Sequence, residues 1–277
     1  MTLKEQVQGK AEWFEDLKTW FWDSRTTIVY VVAVLALWEG GVRLFKIPRY
    51  IIPPLSSIAE EFIAHKSLIW QYTLVTGWET LVGYVIAVTI GVPLAMVVAF
   101  SKLLRQTFYP TAVALEMVPK IAFAPLFVVW FGFGFVPKMI IVFLVCFFPI
   151  LLNGILGFTS LSPEMRYFAR STGASAWRMF WKIRVPAALP ELFVGLKGAA
   201  VNATVGATIS EWVGGDAGLG YYIQIATGQL RMPLAYANIF MLTALGLLLF
   251  YIVALLEKRT IPWHVSQRAP VVSLEGL

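Results

Sequence analysis

Residues 159–186 read Thr-Ser-Leu-Ser-Pro-Glu-Met-Arg-Tyr-Phe-Ala-Arg-Ser-Thr-Gly-Ala-Ser-Ala-Trp-Arg-Met-Phe-Trp-Lys-Ile-Arg-Val-Pro. This polar stretch carries Arg166, Arg170, Arg178, Lys182 and Arg184, and strong apolar runs flank it on both sides. Ser162 followed by Pro163 and Glu164 is a helix start: a capping hydroxyl, a proline at the first position and an acid near the positive helix end. Gly173 stops that helix, and Ser175 caps a second one running towards Pro186. Trp177, Phe180, Trp181 and Arg184 share one face of the second helix, and Arg178 and Lys182 form another ridge. Two short basic helices in one loop of a greasy chain offer a docking surface. The plainer alternative is a basic inner loop that only fixes topology.

The surrounding chain is a membrane protein. Its 277 residues are 58% hydrophobic and only 14% charged, with a mean hydropathy of +0.73. A soluble domain would carry about 25% charged residues. Six apolar runs, at roughly 27–46, 78–101, 107–131, 137–158, 188–212 and 233–256, predict an all-α polytopic helix bundle with six spans. The third is interrupted by Pro110, Pro119 and Pro125 and holds Glu116 and Lys120 in its middle. A broken helix at membrane depth needs protein or a watery cavity around it, so this span is expected to face the bundle interior. Of the two long connections, 47–77 holds Pro48, Pro53 and Pro54, then Ser56 as the N-cap of a short helix. The other, 213–232, holds glycines at 214, 215, 218 and 220 before a short apolar helix.

With both termini placed inside the cell, fourteen of the 22 Lys and Arg fall on inside segments, six (Arg43, Lys46, Arg49, Lys66, Lys138 and Arg231) on outside segments or at the outer ends of spans, and Lys120 and Lys197 lie deep within spans. This bias puts the 159–186 loop in the cytoplasm and accounts for the net charge of +6 without nucleic acid. No cleavable signal peptide opens the chain. Instead Trp13, Phe14, Leu17, Trp20 and Phe21 recur on one helical face, which predicts an amphipathic helix lying on the membrane surface within residues 1–25. The transmembrane domain is expected over 26–262, followed by a cytoplasmic tail at 263–277. His65 and His264 are read as surface residues.

Chemistry is scarce. Cys146 is the one cysteine, so neither a disulfide within the chain nor a cysteine metal site is expected. There is no Gly-x-x-x-x-Gly-Lys-Ser/Thr loop to cradle ATP, no metal-spaced cluster and no nucleophile–base pair, so no catalytic residue is assigned. Charges within spans are functional candidates. In the fifth span Lys197, Thr204, Thr208 and Glu211 make one polar stripe, read either as path lining or as interhelical hydrogen bonding. Gly195, Gly198, Ala199, Asn202, Ala203 and Gly206 form a small-residue surface for close helix approach. Glu116 and Lys120, four residues apart, are read as a helical ion pair or as further path residues.

The 159–186 loop resembles the signature of permease subunits of bacterial ATP-binding-cassette importers: Glu-Ala-Ala, three residues, Gly, nine residues, Ile, one residue, Leu-Pro. Ala169, Gly173, Ile183 and Pro186 match at the right spacing, while Tyr167, Phe168 and Val185 depart from it. Pro119–Leu126, Trp130–Gly134, Glu211-Trp212, Gly218-Leu219-Gly220 and Ile261-Pro262-Trp263 resemble the nitrate/sulfonate/taurine branch, and the likeness covers about residues 30–264. It implies a type I importer fold and a permease dimer. It also implies two cytoplasmic ATPases that bind ATP and Mg, and a periplasmic or lipid-anchored substrate-binding protein. Ala169, Arg170, Gly173, Ala174, Trp177, Arg178, Ile183 and Pro186 are then the ATPase-docking residues, and Glu116, Lys120, Lys197, Thr204, Thr208 and Glu211 border the translocation path. The implied substrate is nitrate-, sulfonate- or taurine-like, with pyrimidine thiamine precursors or riboflavin as alternatives. An ion-coupled secondary transporter is the competitor of another class; it would leave the 162–185 helices without a purpose.

Overall fold

The structure is a computed structural model that describes residues 27–171, 173 and 175–263; within these, the side chains of residues 163, 166, 168, 170 and 176 are not described. The surface helix expected over 1–25, His264 and the tail beyond residue 263 lie outside the described residues. In chain order the helices are α1 (Thr27–Leu44), α2 (Leu55–Ala64), α3 (Lys66–Phe100), α4 (Lys102–Glu116), α5 (Ala124–Phe131), α6 (Phe135–Thr159), α7 (Pro163–Ser171), α8 (Ala176–Met179), α9 (Val185–Gly214), α10 (Leu219–Gly228) and α11 (Met232–Thr260). No strand occurs among the described residues. Five helices are long and apolar enough to cross a bilayer, and the pair Lys102–Glu116 and Lys120–Phe131, bent by 76°, makes a sixth crossing if it is counted as one span.

The core is the three-helix seam of α3, α6 and α9. Lipid tails are as apolar as leucine, so helices in a membrane associate through close packing rather than through the hydrophobic effect. The sequence supplies that closeness with small residues. A Cβ at Gly83 on α3 would lie 2.6 Å from the Val142 Cβ on α6. At Gly154 on α6 it would lie 2.7 Å from the Ala95 Cβ, and at Gly195 on α9 it would lie 2.7 Å from the Asn153 Cβ. Ala199, Ala200, Ala203 and Ala207 are fully buried along the same seam with Val142, Cys146 and Ile150. Gly198 differs from its neighbours in the expected small-residue surface: it stands in open space.

Several boundaries differ from the sequence reading. The second span was expected from residue 78, but α3 begins at Lys66 and runs for 35 residues. At 1.5 Å per residue that exceeds the ~30 Å hydrocarbon core, so part of it stands beyond the bilayer. Its first turns bury Ile69 with Leu219, Tyr222 and Leu234 of α10 and α11. Ser56 does not cap α2, whose N-cap is Pro54. Glu39 of α1 satisfies that end instead: its carboxylate accepts from the Ser56 N–H at 3.2 Å and from the Ser56 hydroxyl at 2.9 Å. His65 is half-buried rather than a surface residue, with Nδ1 3.0 Å from a Glu61 oxygen that also accepts from Arg231 at 2.8 Å.

The broken third span is where the fold corrects the sequence most. Within this chain α4 and α5 lie on the outside of the bundle, and Ala112 and Ala124 are their buried residues. The backbone between them passes through Pro119 and a 3₁₀ turn at Lys120–Phe123. The expected Glu116–Lys120 ion pair needed the helix to continue to Pro119. It ends at Glu116, and Lys120 Nζ donates to the Glu116 main-chain oxygen at 2.7 Å. The ammonium also sits 4.9 Å from the Phe148 ring centre.

The α9 seam makes a paired prediction. Gly195→Ala adds a methyl group against Asn153 and the Pro149 carbonyl oxygen, an overpacking that costs roughly 1–3 kcal/mol. Gly198→Ala meets nothing within 4 Å and removes backbone freedom. Thermal melting in detergent should show a lower Tm for Gly195→Ala and an unchanged or higher one for Gly198→Ala; equal melting of the two would contradict the packing.

Candidate functional site

The 162–186 arm is assembled as its sequence directs. The Ser162 Oγ accepts from the Met165 N–H at 3.3 Å at the start of α7. Glu164 follows, its carboxyl held below the usual carboxylate range by hydrogen bonds from its own N–H and from the Ser162 hydroxyl. Gly173 has φ +70, a left-handed value that favours glycine, with nothing around it that a side chain would meet. Ser175 Oγ then accepts from the Arg178 N–H at 3.3 Å and caps α8.

The second helix does not stop at Pro186. It passes through a π turn at Phe180–Arg184 and continues as α9, giving a helical stretch Trp177–Gly214 of 38 residues. Pro186 has no N–H to return to the carbonyl four residues back, and the ladder shifts by one: the Val185 N–H donates to the Phe180 oxygen. The arm is therefore continuous with a transmembrane helix.

Three of its aromatic side chains, Trp177, Phe180 and Trp181, form one cluster. Ring centres lie 5.6 Å apart for Trp177–Trp181 and 4.9 Å for Phe180–Trp181. Phe180 anchors the cluster to Phe100 of α3 at 5.1 Å. Trp177 and Tyr167 remain 71% and 70% exposed, large apolar surfaces left uncovered by the described residues. Arg178 and Lys182 are exposed beside them, Ile183 and Pro186 are half-buried, and Ala169 is buried. Arg170 lies on α7, its side chain undescribed, and Ala174 is outside the described residues.

The fifth-span stripe divides. At the end far from the arm, Glu211 is fully buried. It accepts from the Thr76 hydroxyl at 2.6 Å and from the Gly220 N–H at 2.5 Å, while Thr76 Oγ1 accepts from the Leu219 N–H at 2.8 Å. The glycines of Gly218-Leu219-Gly220 follow from this carboxylate. A Cβ on Gly218, at φ +119, would collide with it, and one on Gly220 would lie 2.8 Å from its Oε2. Nearer the arm, Lys197 pairs with Glu257 of α11 at 2.7 Å. Between these, the Thr204 and Thr208 hydroxyls donate to carbonyls of their own helix, Val201 and Thr204. Both threonines border an apolar groove of about 570 Å³ between α9 and α11 with Trp212, Leu247 and Phe250. The four polar residues thus bond within and between helices.

Sequence reasoning missed the partners of this knot. Lys138 Nζ lies 2.9 Å from Glu79 Oε1, both almost fully buried, and 3.5 Å from Asp216 and from the Ala217 carbonyl oxygen. In the sequence Lys138 and Glu79 each stand at the edge of an expected span, 137–158 and 78–101, where a charge calls for no partner. Removing one partner of a buried pair costs about 3–5 kcal/mol. Lys138→Met should therefore destabilise the protein strongly, and adding Glu79→Leu should recover part of the loss; a double-mutant cycle from denaturant unfolding that shows simple additivity would contradict the pair.

Fold and arm together define a class: a multi-pass membrane helix bundle with a helical hairpin at one end. The binding-protein-dependent transport system inner membrane component family matches residues 87–262, and this chain belongs to it. The chain is 32% identical to the riboflavin transport system permease protein RibX of Chloroflexus aurantiacus, over 90% of this chain and 94% of that one. It is 29% identical to the formylaminopyrimidine transport permease protein ThiX of Halalkalibacterium halodurans, over 86% and 96%. The taurine transport system permease protein TauC of Escherichia coli matches at 26%, over 88% and 93%. Among solved structures, the inward-facing MetNI methionine ABC transporter matches at a TM-score of 0.56 and 17% identity, over 72% of this chain and 97% of that one. That likeness shows the fold, the type I importer permease fold.

Proposed function

We propose that this chain works as a pair with a second copy of itself, forming the translocation path of an ATP-driven importer for a small organic solute. Two cytoplasmic ATPases bind ATP and Mg and grip the 162–186 arms; a periplasmic or lipid-anchored binding protein delivers the solute to the opposite face. Both termini lie in the cytoplasm. The observation that carries this reading is the arm itself: an exposed aromatic and basic surface built onto a helix that continues without a break to Gly214. Motion imposed on Trp177 is transmitted along α9 to the Glu211 knot. Nucleotide binding draws the arms together and opens the far side, and hydrolysis reverses this.

The second copy is supported by the third span. Irregular backbone cannot face lipid, yet the Met117–Phe123 segment lies on the outside of this bundle with Met117 80% exposed. A second permease chain supplies the missing cover, and Glu116 and Lys120 at the break then border the path. Lys197, Thr204, Thr208 and Glu211 support it from behind. The nitrate-, sulfonate- or taurine-like class remains the substrate reading from the branch resemblance. The higher identities to permeases named for riboflavin and formylaminopyrimidine favour a heteroaromatic solute as the second reading. Mass spectrometry of the ligand held by the cognate binding protein separates the two.

Gly173→Leu tests the arm. The residue is at φ +70 in open space, so the substitution strains the turn, by about 1–2 kcal/mol, without touching the bundle. Membrane insertion should be normal, while ATPase co-purification and substrate uptake should fall at least several-fold; normal co-purification and uptake would count against docking. Uptake by permease liposomes on an ion gradient, with no ATPase present, would favour a secondary transporter instead.

A further inference from the structure

At the arm end of the bundle, two dissimilar hollows share a wall. Lys102 and Arg105 at the start of α4 and Arg184 at the entrance to α9 line a polar cleft of about 180 Å³, closed by Phe100, Phe158 and Thr159. Phe100 and Arg184 also border an apolar groove of about 470 Å³, continued by Met96, Trp177, Met179 and Phe180. Among the described residues neither Lys102 nor Arg105 forms an ion pair. The N-terminus of α4, capped by Ser101, adds its positive helix end beside them. A topology bias explains cations at this end; it does not explain their convergence on a walled cleft that adjoins an apolar groove.

We infer that this paired site holds one anionic phospholipid of the inner leaflet. The phosphate sits among Lys102, Arg105 and Arg184, and an acyl chain lies along Met96, Phe100 and Phe180. Basic clefts between transmembrane helices at the cytoplasmic side suit such headgroups. The site goes beyond transport itself and rests on the orientation proposed above. Because Phe180 and Arg184 belong to the π turn at the root of the arm, the lipid would brace the joint between arm and span.

The test uses the assembled permease–ATPase complex, delipidated in detergent and titrated with dioleoylphosphatidylglycerol under native mass spectrometry, with dioleoylphosphatidylcholine as the neutral control. Wild type should retain one phosphatidylglycerol per permease chain and little phosphatidylcholine. K102Q/R105Q should bind phosphatidylglycerol about twenty-five-fold more weakly, at roughly five-fold per cation, and the charge-conserving K102R/R105K should bind like wild type. Equal phosphatidylglycerol retention by wild type and K102Q/R105Q would overturn the inference. Loss of the ATPase from K102Q/R105Q with the lipid retained would overturn it as well, assigning the cations to the ATPase interface. Retention of the ATPase by the wild-type complex, read in the same spectra, checks the docking reading separately.

Discussion

Close backbone approach along α9 is the constraint on which the rest depends. Gly195, Ala199, Ala203, Gly206 and Ala207 let this helix sit directly against α6, and Gly83 and Gly154 let α3 and α6 meet. In lipid this contact supplies much of the holding force between helices. It also fixes α9 as a rod between two features at opposite ends of the molecule, the aromatic arm at Trp177–Trp181 and the polar knot around Glu211. A looser seam would leave the arm free to move without consequence at the far end.

The knot shows how the far end is kept in register. The Thr76 hydroxyl of α3 donates a hydrogen bond to Glu211 and accepts one from the Leu219 N–H, so a single hydroxyl ties three elements. Lys138 reaches from α6 to Glu79 and towards the 216–217 turn. Buried charges of this kind are strongly destabilising when one partner is lost, which makes the knot an all-or-none closure for the loop entering α10. Among the described residues the broken third span has no such internal closure. Its irregular backbone faces outward, and that incompleteness is the physical reason to expect a second copy.

What was legible in the sequence was local. Ser162, Gly173 and Ser175 mark the arm because caps and a left-handed turn depend on residues within a few positions. The six crossings follow from apolar length, and the interruption at Pro119 announced itself. The missed features are all long-range or cooperative. Glu79 and Lys138 are 59 positions apart, and nothing in either neighbourhood shows that they meet. Glu39, rather than Ser56, satisfies the start of α2 from 17 residues away. The π turn before Pro186 arises because a continuous helix absorbs the proline where an isolated sequence reading expects an end. The glycines of 218–220 were read as turn formers; the Glu211 carboxylate shows that they also leave room for an acid.

The central claim is that the arm lies in the cytoplasm and is covered by an ATPase. The protein's own cysteine, Cys146, is buried, so Trp177→Cys introduces a single accessible thiol on the exposed arm. Labelling with a membrane-impermeant maleimide is the most direct measurement. The account predicts modification in inverted membrane vesicles stripped of ATPase, protection when the ATPase is restored, and none in intact spheroplasts. Modification from the outside of spheroplasts, or equal labelling with and without the ATPase, would contradict it.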